Sequence, residues 1–475
     1  MECYNRHMLD RFRQFLREKC LVNDDRPIVA GVSGGADSQV LVNLLKLAGI
    51  EVICAHFDHQ LRPESASERQ LVDTLAGTLG VRFVSGKAEV GAIRIQAKLS
   101  LEEAARLARY GFLFQMARDH NAQAVAVGHT ADDQAETILM HILRGSGLSG
   151  LRGMLPRQIL AQWDAGLPLI RPLLSFWRSE IENYCAANHL SPFEDPSNLD
   201  PSIVRNRIRR KLIPQLETFN PGIRAALVSM GQSVETDEEL LSELAARAWA
   251  ECIRYDSNTA IGFATSKFVA QPKAMQNRLI RSAAAKIDPD HRSLDHGATR
   301  RAIAAAHRSR GSEQADLLYG IRLFKETDYL WLARLEDDLP TGHWPQVHGV
   351  DILQLTPSES LDLGEGWSLS ASPRAQAGKR TMDEVWLKAE NLEFPLDIRT
   401  RSRGERCRRG EGDAPFRSVS DLMIAAKIPR RARQKWPLVL NHGEVIWIPG
   451  LNLGVPTRRP EAALGMTSLR LERAT

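Results

Sequence analysis

Five short apolar runs alternate with four helical stretches along the first 190 residues, and no other feature restricts the fold of this chain as strongly. The runs are RPIVAGV (26–32), EVICAHF (51–57), VRFVSG (81–86), AQAVAVG (122–128) and LPLIRPL (167–173). Between them lie helical stretches at 37–48, 63–79, 101–120 and 132–144; Ser100, with Glu103 three residues on, forms a capping box for the third. Strands alternating with helices of this length predict an α/β domain with a parallel sheet covered on both faces. In such sheets ligands bind outside the carboxyl ends of the strands, where the strand order reverses. Three loops follow strands directly and are candidates for that position: SGGADS (33–38), DHQLRPES (58–65) and HTADDQAE (129–136).

The rest of the chain changes character. Residues 221–345 are rich in alanine and leucine at helical spacing and predict a helical middle domain. EDDLPTGHWPQVHG (336–349) has the prolines and glycines of a linker. Strand-like runs then return in DILQLT, EVWLKA, PLVLN and EVIWIPG, with one helical segment, SVSDLMIAAKI, predicting a small α+β module. The expected domains are therefore 1–220, 221–345 and 346–475.

Composition bounds the function classes. With 43% hydrophobic and 25% charged residues, the chain resembles ordinary soluble proteins. No apolar run approaches the ~20 residues that span a bilayer, so no membrane partner is expected. The first twenty residues are too charged for a secretory leader, and Met8, Phe12 and Leu16 recur there at helical spacing. Six cysteines (3, 20, 54, 185, 252, 407) form no C-x-x-C pair, which argues against a zinc ribbon, an iron–sulfur site or a disulfide framework and for a reducing cytoplasm. Net charge is only +4, yet RNRIRRK (205–211) carries five positive charges and no acid, and RTRSRGERCRR (399–409) carries six arginines against one glutamate. Two such clusters favour a polyanion touched at two places over a pair of solvated surfaces.

The first candidate loop has the chemistry of an anion cradle. Ser33, Gly34, Gly35, Ala36, Asp37 and Ser38 turn a strand into a helix, so successive backbone N–H groups and the positive end of the helix dipole face one point. A P-loop would need a lysine for the β- and γ-phosphates, and none follows. The loop is better suited to a whole pyrophosphate leaving group, which implies cleavage between the α- and β-phosphates of ATP. Asp37, a carboxylate beside an anion site, suits a bridging Mg2+. In the third loop Asp133 and Glu136 share a helical face. Dipole and capping effects favour acids there, but carboxylates at the ligand edge would repel ATP unless they serve a cation, either lysine's ammonium groups or magnesium.

Ser33–Ser38 resembles the SGG-x-DS signature of the N-type ATP pyrophosphatases, the PP-loop (adenine nucleotide alpha hydrolase-like) superfamily. Within it the chain resembles the tRNA(Ile)-lysidine synthases. The resemblance rests on DHQLRPESASE (58–68), EEAARLARYGFL (102–113), GHTADDQAETILMHILRGSGLSGLRGM (128–154), RPLL (171–174) and DPSNLDPSIVRNRIRRKLIPQL (195–216). At the other end it rests on the arginine-rich segment from Arg399 and the SVSDLMIAAKIPRRARQKWPLVLNHGEVIWIPGL run; APFRSVSDLM (414–423) replaces the lysine-rich stretch expected there. The resemblance implies a cytoplasmic ligase that adenylates the 2-position of the wobble cytidine in the CAU anticodon of tRNA(Ile). Free L-lysine then displaces AMP to form lysidine.

It further implies that Asp37, Asp133, Glu136 and Arg205 carry the chemistry. Asp133 and Glu136 would bind lysine, and Arg205 a phosphate or the lysine carboxylate. Ser33–Ser38, His56 and Asp58 would contact the nucleotide, and Arg207, Arg209, Arg210, Arg401, Arg403, Arg408 and Arg409 the tRNA. The alternatives are a PP-loop tRNA sulfur transferase, disfavoured by the unpaired cysteines, and a tRNA-binding protein with a non-catalytic ATP site. Oligomeric state stays open, a homodimer being one option.

Arginine suits bidentate phosphate contact, and each neutralised phosphate releases condensed counterions. Replacing Arg401, Arg403, Arg408 and Arg409 together by alanine is expected to weaken tRNA binding and to flatten log K against log salt by roughly 0.9 per lost contact. Filter binding of tRNA across a salt series checks this; equal affinity and slope in variant and wild type would make the cluster a solvated surface.

Overall fold

The structure is a computed structural model. It describes residues 2–23, 25–60, 65–193, 200–289, 294–308, 313–326, 328–335, 339–341, 343–348, 352–374, 381–408, 416–426, 428–451 and 465–474. The chain divides into two compact units, Met1–Leu241 and Ser242–Thr475. No described helix is long and apolar enough to cross a membrane.

The first unit runs α1 (Glu2–Glu18), β1 (Ile28–Gly31), α2 (Ala36–Leu47), β2 (Val52–Asp58), α3 (Ser65–Leu79), β3 (Arg82–Lys87), α4 (Val90–Ala97), α5 (Leu101–Asp119), β4 (Ala124–Val127) and α6 (Ala131–Leu143). It continues through α7 (Leu148–Leu151), β5 (Arg157–Ile159), β6 (Pro168–Ile170), α8 (Arg178–Ala187), α9 (Val204–Arg207), a π-helical turn (Ile208–Leu212) and α10 (Ile213–Glu217) into α11 (Ile223–Cys252). The sheet order is β3-β2-β1-β4-β6-β5, parallel throughout except for β5, an edge strand that the sequence reading had not anticipated.

Both faces of this sheet are covered, as the alternation predicts. Side chains of a strand point to opposite faces in turn. Ile28 and Ala30, with Val52, Cys54, Ala124, Ala126 and Ile170, join Phe12 of α1, Val40 and Leu44 of α2, and Ile181 of α8 in one core. Val29, Ile53, Ala55, Val125 and Leu169 face the other way onto Tyr110, Leu113 and Phe114 of α5. The stripe Met8, Phe12 and Leu16 is buried, worth roughly 1.5–3 kcal/mol for each large side chain removed from water.

The strand order reverses between β1 and β4. The chain winds outward from β1 through β2 to β3, then crosses back to place β4 on the other side of β1. Gly31 at the end of β1 aligns with Val127 at the end of β4, so the loops after both strands open at the same place. Gly34 holds φ +84°, a left-handed conformation that glycine adopts without strain. Gly128 follows β4, and a Cβ there would lie 3.1 Å from the Asp37 carbonyl carbon and oxygen and 3.3 Å from Ser38 N. The two loops meet backbone to backbone.

The helices expected in the middle of the chain are present, and a sheet that was not expected accompanies them. Helices α12 (Thr265–Ala270), α13 (Lys273–Ile287) and α14 (His296–His307) accompany a five-stranded antiparallel sheet in the order β7-β8-β11-β10-β9. Its strands are β7 (Ile253–Asp256), β8 (Ala260–Ala264), β9 (Glu313–Asp316), β10 (Arg322–Lys325) and β11 (Tyr329–Ala333). Strands of four and five residues amid alanine-rich helices are too short to show a period of their own, so they were not visible in the pattern. Residues 343–348, expected as linker, are packed: Gln346 and Val347 are buried, and Val347 N–H donates to the Lys435 carbonyl at 2.7 Å.

The C-terminal module is α+β, as expected. Its strands are β12 (Leu353–Leu355), β13 (Ser360–Gly364), β14 (Trp367–Arg374), β15 (Glu384–Lys388), β16 (Leu396–Arg399), β17 (Arg406–Arg408), β18 (Phe416–Ser418), β19 (Leu438–Asn441), β20 (Glu444–Trp447) and β21 (Met466–Arg473). Sheets β12-β16-β19-β20 and β13-β14-β21-β15 share one core, and α15 (Val419–Ala425) packs with Cys407 and Leu438 in a second.

Backbone atoms cannot yield to a new methyl group as a flexible side chain can, so Gly128→Ala is expected to destabilise the first unit by about 1–3 kcal/mol through overpacking. Chemical denaturation monitored on that unit measures the loss; unchanged stability would mean the loops can part freely.

Candidate functional site

Two helix N-termini, those of α2 and α6, open where the strand order reverses. The first N–H groups of each have no acceptor within the helix. Around Ser33–Ser38 the chain is pinned rather than free. Gln39, buried, donates from Nε2 to the Gly34 carbonyl at 2.8 Å and to the Ser191 carbonyl at 3.1 Å. Phe193 N–H donates to the same Gly34 oxygen at 3.0 Å, and Ser38 Oγ donates to the Gly35 carbonyl at 2.9 Å. Gly34 and Gly35 spend their carbonyls on this scaffold and leave the N–H side of the turn for an anion.

Asp37 lies in the first turn of α2. Nη1 of Arg178 donates to both its carboxylate oxygens at 2.8 Å, across 141 residues of sequence. Burial pushes the Asp37 carboxyl up to about 6 against the opposing pull of Arg178. Arg178 is the first residue of α8; its Nε donates to Glu182 Oε1 at 2.9 Å, one turn on. Its own N–H donates to Asp132 at 2.7 Å, and Asp132 also receives Arg224 Nη1 at 2.6 Å. Asp132 thus ties α6 to α8 and α11, a structural role.

Asp133 and Glu136 share a face of α6, as their spacing requires. Asp133 caps its own helix: the Thr130 N–H donates to Oδ2 at 2.9 Å. Glu136 is completely buried. Arg205 Nε donates to its Oε2 at 3.0 Å, while Arg209 supplies Nε to Oε1 at 2.5 Å and Nη2 to Oε2 at 3.0 Å. Arg209 Nη2 also reaches Asp133 Oδ1 at 3.1 Å. Burial opposes ionisation of Asp133, but the surrounding positive groups and the Thr130 N–H outweigh it and hold the carboxyl below its ordinary value.

Arg205 and Arg209, four residues apart, point together into the carboxylates, so Arg209 belongs to this cluster rather than to an outward basic face. Arg207 and Arg210 are exposed. Val204, Ile208 and Leu212 recur at i, i+4 spacing; Ile208 is buried, whereas Val204 is 44% exposed.

His56 and His129 sit deeper. His56 Nδ1 hydrogen-bonds the Val32 carbonyl at 2.9 Å and so links β2 to the end of β1; its Nε2 has no partner among the described residues. Asp58 accepts from the Gln60 N–H at 2.8 Å, a local turn. Burial pushes the His129 imidazole down to about 3, keeping it neutral at physiological pH. Its Nδ1 is likewise unpartnered among the described residues.

The described residues contain no group of three or more His, Cys, Asp or Glu able to hold a metal ion. Magnesium at nucleotide sites commonly uses one or two carboxylates and takes its other oxygens from phosphates and water. One carboxylate beside an anion cradle, Asp37, fits that donor set.

In the second unit Arg401 is half-buried, and Arg403 and Arg408 are exposed; Arg409 lies outside the described residues. Arg408 lies over the exposed Phe416 ring at 4.6 Å. Arg399 is engaged instead with Glu405, at 2.6 and 3.1 Å. Burial, with Arg401 and Arg430 nearby, lowers the pKa of Arg433, which marks a concentration of positive charge. Sequence reasoning missed Gln39, Arg178 and Arg224, because nothing local links Arg178 to Asp37 across 141 residues, Arg224 to Asp132 across 92, or Gln39 to a backbone carbonyl.

A family described as the PP-loop domain matches residues 4–216, and one described as the TilS substrate C-terminal domain matches 396–463. The chain is 32% identical over 456 residues to a tRNA(Ile)-lysidine synthase of Geobacillus kaustophilus (strain HTA426), covering 94% of this chain and 95% of that one. It is 33% identical over 465 residues to that of Symbiobacterium thermophilum, covering 94% and 93%. Among solved structures, the U34-tRNA thiolase NcsA from Methanococcus maripaludis with its [4Fe-4S] cluster matches at TM-score 0.42 and 17% identity over 50% of this chain and 81% of that one. A crystal structure of the TILS C-terminal domain matches at TM-score 0.24 and 23% identity, over 26% and 98%.

Removing one partner from a buried ion pair leaves an uncompensated charge, at roughly 3–5 kcal/mol when both partners are buried. Arg205 and Arg209 keep side-chain exposures of 31% and 40%, so water recovers part of that loss. Glu136→Gln is therefore expected to destabilise the first unit by about 1–3 kcal/mol. Urea denaturation measures it, and an Arg209→Ala partner in a double-mutant cycle shows whether the loss runs through the pair.

Proposed function

The chain belongs to the tRNA(Ile)-lysidine synthase family, and from that premise we propose that it joins free L-lysine to the wobble cytidine of the CAU anticodon of tRNA(Ile). It is an ATP-dependent ligase. The observation that carries the reading is the meeting of the Ser33–Ser38 cradle with the Asp133–Glu136 carboxylates at the point of strand reversal. Cys20, Cys54, Cys185, Cys252 and Cys407 are all buried, and burial pushes the thiols of Cys20 and Cys54 up to about 12, far from the reactive thiolates of sulfur transfer.

In the first half-reaction, the cytidine 2-oxygen attacks the α-phosphorus of ATP. The bond to the β-phosphate breaks and pyrophosphate departs with its electron pair. Backbone N–H groups of Gly34–Asp37 and the α2 dipole stabilise that charge where it develops. Asp37 would hold Mg2+, which, when bound, offsets the charge of the leaving phosphates. His56 and Asp58, at the end of β2, would border the nucleotide.

In the second half-reaction the neutral ε-amine of lysine attacks the cytidine 2-carbon; the bond from that carbon to the adenylate oxygen breaks, AMP leaves with the electron pair, and the nitrogen gives up a proton to solvent. Asp133 and Glu136 would recognise lysine with Arg205. The geometry favours a particular division of labour. Both Glu136 oxygens already receive guanidinium groups, so Glu136 orients Arg205 and Arg209 toward the substrate's anionic end, the lysine carboxylate or the adenylate phosphate. Asp133, whose carboxylate takes one arginine hydrogen bond, from Arg209 at 3.1 Å, with Arg205 Nη2 no nearer to it than 3.9 Å, is the better partner for an ammonium group. Arg207 and Arg210 in the first unit, and Arg401, Arg403, Arg408 and Arg409 in the second, would hold the tRNA backbone, contacts that position an RNA without reading its bases.

Incubation with bulk tRNA, ATP and labelled lysine tests the reaction class. Label bound stably to tRNA, with AMP and pyrophosphate released, is expected; ADP formation would overturn it. Asp133→Ala and Glu136→Ala are each expected to raise the apparent KM for lysine. Cadaverine, which is lysine without its carboxylate, separates the two roles: Glu136→Ala should lose discrimination between the amines, whereas Asp133→Ala should weaken both. Unchanged lysine dependence in both variants would return these carboxylates to helix capping.

A further inference from the structure

Arg178 is absent from the site residues that the sequence suggests, yet it makes the most direct contact with one of them. Its Nη1 spans both oxygens of Asp37 at 2.8 Å, with the guanidinium 47% and the carboxylate 31% exposed. A divalent cation on Asp37 would need one of those oxygens, so the two cations compete for a single ligand. Arg178, unlike Arg209 and Arg224, is held by two carboxylates of which neither is less than 31% exposed. Nη1 is on Asp37, beside the anion cradle, while Nε is on Glu182, which is 61% exposed and one turn along the same helix. Releasing Asp37 therefore leaves the side chain anchored to α8. The freed Nη groups remain within a few ångströms of the N-terminus of α2, where an anionic leaving group would collect. Arg205 and Arg209 lack this arrangement, because their partner Glu136 is wholly buried.

We propose that Arg178 is an exchangeable cation of the pyrophosphate site, paired with Asp37 until magnesium-bound nucleotide enters, and then transferred to the β- and γ-phosphates while Glu182 retains its Nε. The exchange rests on the reading of Asp37 as the magnesium carboxylate. It requires no change in covalent bonding. The Arg178 guanidinium trades one pair of anionic oxygens for another, and its charge meets the pyrophosphate as the α–β bond breaks. Asp37 is never left without a cation, which the dense negative charge at this edge demands.

The full-length protein serves for the test, with α,β-methylene-ATP as a probe that binds without cleavage. Isothermal titration over a magnesium series gives the half-saturating Mg2+ for analogue binding, and rapid quench with tRNA gives the rate of pyrophosphate release. Arg178→Ala is expected to lower the half-saturating Mg2+ at least threefold, because a competitor is gone, and to slow pyrophosphate release by roughly 100-fold, the loss typical of one preorganised donor. Arg178→Lys keeps the charge but not the two-sided reach, and should restore part of the rate. A merely structural role would weaken magnesium and nucleotide binding together.

Asp37→Asn separates the two ideas. If it abolishes the magnesium dependence while Arg178→Ala leaves the half-saturating Mg2+ unchanged, the exchange is overturned and the reading of Asp37 stands. If Asp37→Asn keeps wild-type magnesium dependence, that reading falls and the exchange with it.

Discussion

The reversal of strand order between β1 and β4 is the constraint from which the rest of the first unit follows. It sets two helix N-termini beside each other, and the close approach of Gly128 to the Asp37 backbone fixes their spacing. Two positive helix ends at one edge favour negative groups in both first turns. Asp37 lies in one, and Asp132 and Asp133 in the other. The same field favours an anionic ligand, and carboxylates and ligand phosphates cannot share the edge without cations. Arg178, Arg205, Arg209 and Arg224 supply them, drawn from α8, α9, the π-helical turn and α11. The basic segment of 205–211 is thereby divided between two duties: Arg205 and Arg209 turn inward, and Arg207 and Arg210 face solvent.

Burial grades these pairs by permanence. Glu136 is wholly removed from water and receives three guanidinium hydrogen bonds, so separating it from Arg205 and Arg209 would leave a charge in the interior. The Asp37–Arg178 pair is only half-buried, with side-chain exposures of 31% and 47%, so it is held less firmly and can exchange partners. A site that must bind ATP, release pyrophosphate and then admit an amine benefits from both kinds: a fixed set of arginines, and one that moves.

The second unit shows a different use of arginine. Arg431 pairs with the buried Glu326 at 2.6 Å, and its guanidinium carbon lies 4.2 Å from the Trp344 ring centroid and 5.7 Å from that of Trp331. Trp331 Nε1 donates to the same glutamate at 2.7 Å. This cluster joins the five-stranded sheet to the segment around Trp344 and to residues of the C-terminal module, with both carboxylate oxygens of Glu326 engaged. Arg403 and Arg408 stay at the surface, where a guanidinium stacked on an exposed ring such as Phe416 is pre-ordered for a phosphate or a base.

The period of the apolar residues by itself determined the parallel sheet, its covering helices α2, α3, α5 and α6, and the loops 33–38 and 129–136 at its edge, because a strand or helix repeats its pattern locally; residues 61–64 of the other expected loop lie outside the described residues. Ser33–Ser38, Asp133 and Glu136 were legible for the same reason: each sits within one turn of a boundary that the sequence marks. The five-stranded sheet of the second unit was not legible, since β8, β10 and β11 are too short to display a period. Tertiary structure alone decided which charges meet. Asp37 finds Arg178 across 141 residues and Glu136 finds Arg209 across 73, distances over which no local pattern carries information. It also decided that Arg209 turns inward while Arg207, two residues away, does not. A helix places successive residues on different faces, and only the packing of α9 and the π-helical turn against α6 selects which face is buried.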